Sequence, residues 1–343
     1  MKNRILVTGG TGYIGSHTVV ELINAQYEVV IIDDLSNSYA SVIDNILKIT
    51  GKKPVFEQFN LCDKKFLDQF FEKYTDISAI IHFAASKSVN ESVEKPLKYY
   101  RNNLMSCINL LDAMREYSVP YMVFSSSCTV YGQPEKLPVT EYAPLQTPSS
   151  PYGNTKQICE KIIQDVTISN EDISAISLRY FNPIGAHTSS LIGELSTGTP
   201  DNLVPYITQT GIGIREFLRV FGNDYDTPDG TCIRDFIHVI DIADVHIKAV
   251  ERLLGNKNKA QYEFFNVGTG RGYSVMEVIK TFEKVSGKKL NYKILGRRPG
   301  DIEKIWADTS LANKELEWVA TRDLDEMLLT AWNWEKHYRP VNI

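Results

Sequence analysis

Tyr152 and Lys156 stand four residues apart in Tyr152-Gly153-Asn154-Thr155-Lys156, directly after Pro151. Proline suits the first turn of a helix, and four residues make about one turn, so phenol and ammonium would share one helix face. A free tyrosine, with a pKa of about 10, is a poor base at neutral pH. A cation beside it favours the phenolate, and lowering the pKa by about three units asks for ~4 kcal/mol of differential stabilisation, plausible in a water-poor cleft. Ser125-Ser126-Ser127 closes the apolar run Tyr121–Phe124. A hydroxyl at such a strand end can bond the same substrate oxygen that the tyrosine deprotonates. Taken alone, a Tyr/Lys pair at this spacing is more often an exposed helix pair.

A second set of residues changes that weighting. Gly9, Gly10, Gly12 and Gly15 follow the first apolar run, Arg4–Thr8, and open a helix-like stretch. They satisfy G-x-x-G-x-x-G through Gly9, Gly12 and Gly15. Such a loop turns tightly, lets backbone approach a pyrophosphate and lets the helix press on the sheet, while the helix N-terminus offers N–H groups to phosphate. A glycine loop alone is also read as a tight strand–helix turn. Asp33, 18 residues after Gly15, closes the next apolar run. An acid there hydrogen-bonds an adenosine ribose and disfavours a 2′-phosphate, and Asp33-Asp34-Leu35-Ser36-Asn37-Ser38 contains no arginine, which selects NAD over NADP. The positive nicotinamide ring is then a second cation beside the Tyr152 phenol.

These residues need a scaffold. The first half alternates short Val/Ile/Phe-rich runs with amphipathic stretches. The runs are Arg4–Thr8, Glu28–Asp33, Pro54–Gln58, Ala79–Ala84, Tyr121–Ser126 and Ala175–Tyr180; the helix-like stretches include Tyr13–Ala25, Lys64–Lys73, Leu104–Glu116 and Tyr152–Ser169. The runs lack two-residue alternation, as expected of parallel strands covered on both faces. The fold class expected is α/β: a doubly wound parallel (Rossmann) sheet, ligands at its carboxyl edge, with a smaller mixed α/β substrate lobe. Residues 1–180 form the NAD-binding domain in this reading, with returning segments around 236–270. Past Tyr180 glycines and prolines break the pattern, and 181–343 is mainly the second lobe. Helices are expected at Leu203–Gly213, Asp241–Leu254, Val275–Val285 and Leu324–His337, and a strand at Phe264–Val267.

Composition narrows the function. The 343 residues carry a net charge of -5, so no basic excess points to nucleic acid, and an anionic ligand must be met by local arginines. Five cysteines without a CxxC pair fit reduced thiols in the cytoplasm rather than a disulfide frame or a metal site. The chain enters its first strand almost at once, which leaves no room for a signal peptide, and no apolar run is long enough to span a bilayer.

At this point the sequence resembles the extended short-chain dehydrogenase/reductase family, and within it the UDP-hexose 4-epimerases, over nearly its whole length. The resemblance is carried by Gly9–Ser16, Ile80–Ala85, Ser125–Gly132, Ser150–Lys156, Leu178–His187, Phe221–Tyr225, Arg234–Val239 and Trp306-Ala307-Asp308. It implies Tyr152 as catalytic base, Lys156 on the nicotinamide ribose and Ser127 assisting. It implies that NAD is held by Gly9, Gly12, Tyr13, Ile14 and Gly15, by Asp33, Asp34, Leu35, Asn37 and Ser38, and by Asn60 and Leu61. Phe83, Ala84, Ala85, Lys87, Asn102 and Phe181 match further NAD positions, with Asn60 where the family commonly has Asp near adenine. The UDP pocket matches Asn182, Asn202, Leu203, Arg219, Phe221, Arg234, Arg298 and Asp301. Arginines can neutralise a diphosphate through forked hydrogen bonds, although Asp235 and Asp301 offer ordinary ion-pair partners instead. Ile305 matches a position that limits the sugar when bulky.

The activity implied is reversible inversion at C4, interconverting UDP-galactose and UDP-glucose through a 4-keto sugar, in a homodimer pairing Leu104–Glu116 and Tyr152–Ser169 across its axis. Leu104, Ile108 and Leu111 serve equally well in the intrachain core. Three rivals stand. A 4,6-dehydratase would carry an Asp-Glu pair where this chain has Ser127-Cys128-Thr129. A UDP-uronate enzyme would need more positive charge. A non-catalytic NAD-binding regulator would have no use for the Tyr/Lys pair.

Overall fold

A computed structural model describes residues 3–195, 199–298 and 301–339. The first half runs β1 (Arg4–Thr8), α1 (Tyr13–Asn24), β2 (Glu28–Asp33), α2 (Ser41–Thr50), β3 (Val55–Gln58), α3 (Lys64–Lys73), β4 (Ile77–His82), α4 (Val89–Glu94) and α5 (Pro96–Tyr99). A π-helical turn (Tyr100–Leu104) leads into α6 (Met105–Glu116), then come β5 (Tyr121–Ser127), a 3₁₀ turn (Cys128–Tyr131), α7 (Pro151–Ser169) and β6 (Ser174–Tyr180). The second half runs β7 (Asn182–Ile184), α8 (Leu203–Gly211), β8 (Leu218–Phe221), β9 (Ile233–His238), α9 (Val239–Leu254), β10 (Tyr262–Val267), β11 (Gly272–Ser274), α10 (Val275–Ser286), β12 (Tyr292–Leu295), β13 (Lys304–Ile305), α11 (Ser310–Glu315) and α12 (Leu324–Tyr338).

Seven strands form one sheet in the order β3-β2-β1-β4-β5-β6-β10, with every pairing parallel. This is the doubly wound arrangement expected. Both faces are covered, which explains the missing alternation. Ile5, Val7, Ile31 and Ile81 face one core with α1, α2 and α9, while Leu6, Val30, Ile80 and Phe124 face the other with α3, α6 and α7. A separate core gathers Val204, Ile207, Phe282, Met327 and Trp332 from α8, α10 and α12. A small joint core of Val130, Tyr131, Val139, Phe181, Ile305 and Ala307 ties the turn after β5 to β13.

Most expected elements differ at an end by one or two residues, among them α8, which ends at Gly211, and α9, which starts at Val239, and two strands shift by two. The fourth strand starts at Ile77 and ends at His82, because the chain beyond turns away after Phe83 N donates to Thr8 O. The edge strand β10 begins at Tyr262, where parallel pairing with Ala175 starts. Among the described residues no helix is long and apolar enough to cross a membrane.

Candidate active site

The helix carrying Tyr152 starts where local chemistry dictates. Ser150 Oγ accepts from Gly153 N at 3.2 Å, and Pro151 fills the first helical position, where a missing N–H costs nothing. Tyr152 is half-buried and Lys156 is 3% exposed, both facing the end of β5. Lys156 Nζ donates to Ser125 O at 2.6 Å and lies 4.8 Å from the Phe124 ring centre and 5.9 Å from that of Tyr152. Ser127 Oγ accepts from Thr129 N at 3.2 Å, which fixes the turn following the strand.

Burial dominates the titration of both groups. It pushes the Tyr152 phenol up to about 12, against a downward pull from the Ser127 hydroxyl. It pulls the Lys156 ammonium down to about 8, against the upward effect of Cys159, Cys107 and Glu160. The expectation of a phenol depressed by its neighbouring lysine is therefore not met by the chain's own groups. The ammonium is engaged with the Ser125 carbonyl, and burial governs the phenol.

The glycine loop has the shape a dinucleotide requires. Gly9 has φ +71°, and a side chain on Gly15 would meet Gly9 O at 2.2 Å. A Cβ on Gly12 would touch only Gly9 O, at 3.2 Å, so the space before α1 is open on the protein's side. No side chain caps α1 and no acid stands in its first turn, which suits an anion. Asp33 Oδ2 accepts from Thr11 N at 3.2 Å and Oδ1 from Leu35 N and Ser38 Oγ at 2.9 and 3.1 Å, so the carboxylate organises both the glycine loop and the turn 34–38. Asn60 accepts from Cys62 N at 2.8 Å and donates to Asp34 at 2.8 Å; its carbonyl already serves the local turn. Tyr13 Oη donates to Gly185 O at 2.6 Å, and Ile14 packs against the core. Phe83, Ala84 and Ala85 follow β4 beside β1, and Leu61 is buried. Asn37 lies in the same turn as Ser38.

The expected nucleotide-sugar residues come from five separate segments. Asn182 opens β7 with its buried Oδ1 lacking a hydrogen-bond partner. Asn202 precedes α8 and donates to Glu194 at 2.8 Å, with Leu203 next to it. Arg219 and Phe221 lie on β8, and the guanidinium carbons of Arg219 and Arg298 stand 5.9 and 5.5 Å from the Phe221 ring centre. Arg298 does pair with Asp301, at 2.6 Å. Arg234 does not pair with Asp235: it donates to Ile233 O at 2.8 Å, while Asp235 accepts from Thr269, Gly270 and Ala307 N–H groups. Ile305 sits in register with Arg234 across β13 and β9 and is buried. Phe181 is buried beneath.

Sequence reasoning missed two organisers. Asn103 in the π turn accepts from Ser86 N at 2.8 Å and donates to Ser86 O and Thr155 Oγ1 at 3.1 and 3.0 Å, tying the loop after β4 to α7. Neighbouring Asn102 donates to Ser86 Oγ at 3.3 Å. Glu194 takes both Lys87, at 3.4 Å, and Asn202, joining an expected NAD residue to an expected UDP residue. Neither lies in a periodic or motif-like stretch, so only the tertiary contacts reveal them.

The chain is similar to known proteins over nearly its whole length. The family model described as GDP-mannose 4,6 dehydratase matches residues 6–330. A UDP-glucose 4-epimerase of Bacillus subtilis is 50% identical over 331 residues, covering 96% of each chain. The crystal structure of UDP-glucose-4-epimerase from Stenotrophomonas maltophila with bound NAD and formylated UDP-arabinopyranose superposes with TM-score 0.95 at 45% identity, over 98% of this chain and 99% of that one. That of UDP-glucose 4-epimerase from Bifidobacterium longum in complex with NAD+ and UDP gives 0.93 at 42% identity, over 99% and 100%.

Proposed function

Because the chain belongs to the UDP-glucose 4-epimerases of the extended short-chain dehydrogenase/reductase family, we propose that it interconverts UDP-galactose and UDP-glucose with NAD retained in the site. The observation that carries this reading is the convergence of Tyr152, Lys156 and the Ser125–Ser127 strand end on one buried face. NAD held by these residues would supply a hydride acceptor for C4 and, once reduced, a hydride donor for the 4-keto sugar, and its oxidised ring would add positive charge to the site.

The chain's own residues do the rest. Tyr152 Oη takes the C4 hydroxyl proton and returns it, and Ser127 Oγ shares that oxygen and fixes its direction. Lys156 holds a positive charge one helical turn away and binds the nicotinamide ribose. The Gly9, Gly12 and Gly15 loop with Asp33 holds the dinucleotide, and an acid at the ribose position favours NAD over NADP. Arg234 and Arg298 hold the diphosphate, with Asn182 and Asn202 adding directed bonds without charge. This anchors UDP tightly and leaves the hexose free to turn. Residues 181–343 serve mainly as the UDP-binding lobe. A dehydratase needs an acid in the turn after β5, and Cys128 there is held protonated, pushed up to about 12 by burial.

Five free cysteines support a reducing, cytoplasmic setting. Helix α6 leaves Met105 and Ile108 exposed and α7 leaves Ile168 exposed, apolar surface that supports a homodimer through these two helices. Leu104 and Leu111, by contrast, pack inside the chain.

The test is to incubate the protein with UDP-galactose without added NAD and follow UDP-glucose by NMR. Tyr152→Phe should keep UDP affinity and lose turnover by orders of magnitude. Unchanged turnover in that variant would remove Tyr152 from the mechanism, and no UDP-glucose from the wild type would end the reading.

A further inference from the structure

Below the proposed catalytic pair lies a charged network that the chemistry above does not use. Glu160 is one turn beyond Lys156 on α7 and only 4% exposed. Its Oε1 accepts from Ser126 Oγ at 2.5 Å and from Arg179 Nε at 2.9 Å, and its Oε2 from Arg179 Nη2 at 2.6 Å. Arg179, on β6 and 3% exposed, also donates through Nη1 to Tyr131 Oη at 2.9 Å. Tyr131 Oη donates to Asn266 Oδ1 on β10 at 2.6 Å, and Asn266 Nδ2 donates to Val139 O at 2.8 Å. The Arg179 guanidinium carbon stands 4.4 Å from the Phe264 ring centre, so both its face and its edge are occupied.

A buried ion pair is poor value as a stabiliser, because desolvation consumes most of its attraction and apolar residues of similar volume do as well. Its placement suggests another role. Three residues at one-turn intervals on α7 meet three consecutive residues of β5. Tyr152 interacts with Ser127, Lys156 bonds the Ser125 carbonyl, and Glu160 bonds the Ser126 hydroxyl. Neighbouring strand residues point to opposite faces, so the hydroxyl of Ser126 faces a different way from those of Ser125 and Ser127. Its anchorage by Glu160 fixes how far α7 can slide or roll along β5. We infer that Glu160, held by Arg179, is a positioning residue that sets the register of Tyr152 and Lys156 against the serine strand end. This rests on the function proposed above and adds to it.

The network also bears on charge. Lys156 is faced by Tyr152, Cys159 and Glu160 on its own helix, Cys107 on α6, His82 on β4, and Phe124 with the Ser125 carbonyl on β5. Among these Glu160 is the carboxylate, and it favours the ammonium. Removing its charge moves the loss of that ammonium to lower pH.

Two variants and one control test the inference on the full-length, NAD-loaded enzyme. Ser126→Ala keeps the ion pair and cuts the tie to the strand; Glu160→Gln keeps an acceptor and removes the charge. Both should lower kcat for UDP-galactose by about tenfold or more, with KM within about twofold, as expected when an interaction is lost mainly in the transition state. In Glu160→Gln the alkaline limb of the kcat–pH profile should also move to lower pH. The control is Glu263→Gln, which weakens another largely buried pair, Arg252–Glu263, whose arginine also meets Glu315, and touches none of these groups. It should lower the melting temperature and leave kcat and its pH profile alone. If Glu160→Gln does not fold, Ser126→Ala decides alone through kcat. The inference is overturned if the folded variants keep kcat within about twofold and the same alkaline limb, so that they differ from wild type only in melting temperature. If Tyr152→Phe is fully active the proposed function fails first; if it is inactive while Ser126→Ala and Glu160→Gln match wild type, only this inference fails.

Discussion

Lys156 should be a residue that the fold carries at a cost, so replacing it with methionine should make the protein more stable and much less active. Burial brings its ammonium from 10.5 to about 8. A difference of that size is worth about 3 kcal/mol at neutral pH. The sign follows from proton counting. Between pH 8 and 10.5 the unfolded chain binds more protons at this position than the folded one, so the wild type gains stability as pH rises through that window. The penalty is about 3 kcal/mol at pH 7 and below about 1 kcal/mol at pH 10. Lys156→Met removes the penalty and also the bond to Ser125 O, worth about 2 kcal/mol while the donor is an ammonium and about 1 kcal/mol once it is neutral. Net stabilisation should be about 1 kcal/mol at pH 7 and close to zero at pH 10, a rise in melting temperature of about 1–2 °C that vanishes at the higher pH. The assay is a pair of thermal melts at the two pH values, with dinucleotide removed from both proteins so that ligand binding does not enter the comparison. Turnover of UDP-galactose should fall by about a hundredfold or more. A variant less stable than wild type at pH 7, or a difference in melting temperature independent of pH, would refute the reasoning.

Three further outcomes are expected. Gly12→Ala has no close contact except Gly9 O at 3.2 Å, so it should melt like wild type when stripped and yet retain no NAD, whereas Gly15→Ala, with its 2.2 Å clash, should be destabilised as well; cofactor content after gel filtration and a melt separate the two. Arg234→Lys keeps the charge but loses the fork, and should raise KM for UDP-galactose about tenfold with kcat within about twofold, as initial rates over a substrate range will show. Ile305 is packed among Val130, Tyr131 and Phe181, so UDP-N-acetylglucosamine should turn over far more slowly than UDP-glucose, and Ile305→Ala should narrow that gap; comparable rates in the wild type would overturn the expectation.

The order of the sheet strands and of most first-half helices was legible because it rests on local physics, whereas the short strands β7, β8, β9, β11, β12 and β13 of the second half were not read from sequence. Apolar runs without alternation meant strands covered on both faces, and β1, β2 and α3 begin and end where composition placed them. Proline marked the start of α7, where the structure adds a capping serine, and the glycine loop marked the turn into α1. The spacing of Tyr152 and Lys156 put them on one face before any contact was known. Tertiary structure decided what local sequence does not encode. It gave Arg298 an acid partner and Arg234 a backbone carbonyl, though both have an aspartate near in sequence. It sent Leu111 into the core and left Ile108 outside on the same helix. It set the phenol's proton affinity, because desolvation depends on everything packed around a group, whereas spacing reports only one neighbour. And it joined Ser126, Glu160 and Arg179, from two strands and a helix, into one buried network: pairing across that distance in the chain depends on how helix and sheet pack, which no short stretch of sequence specifies.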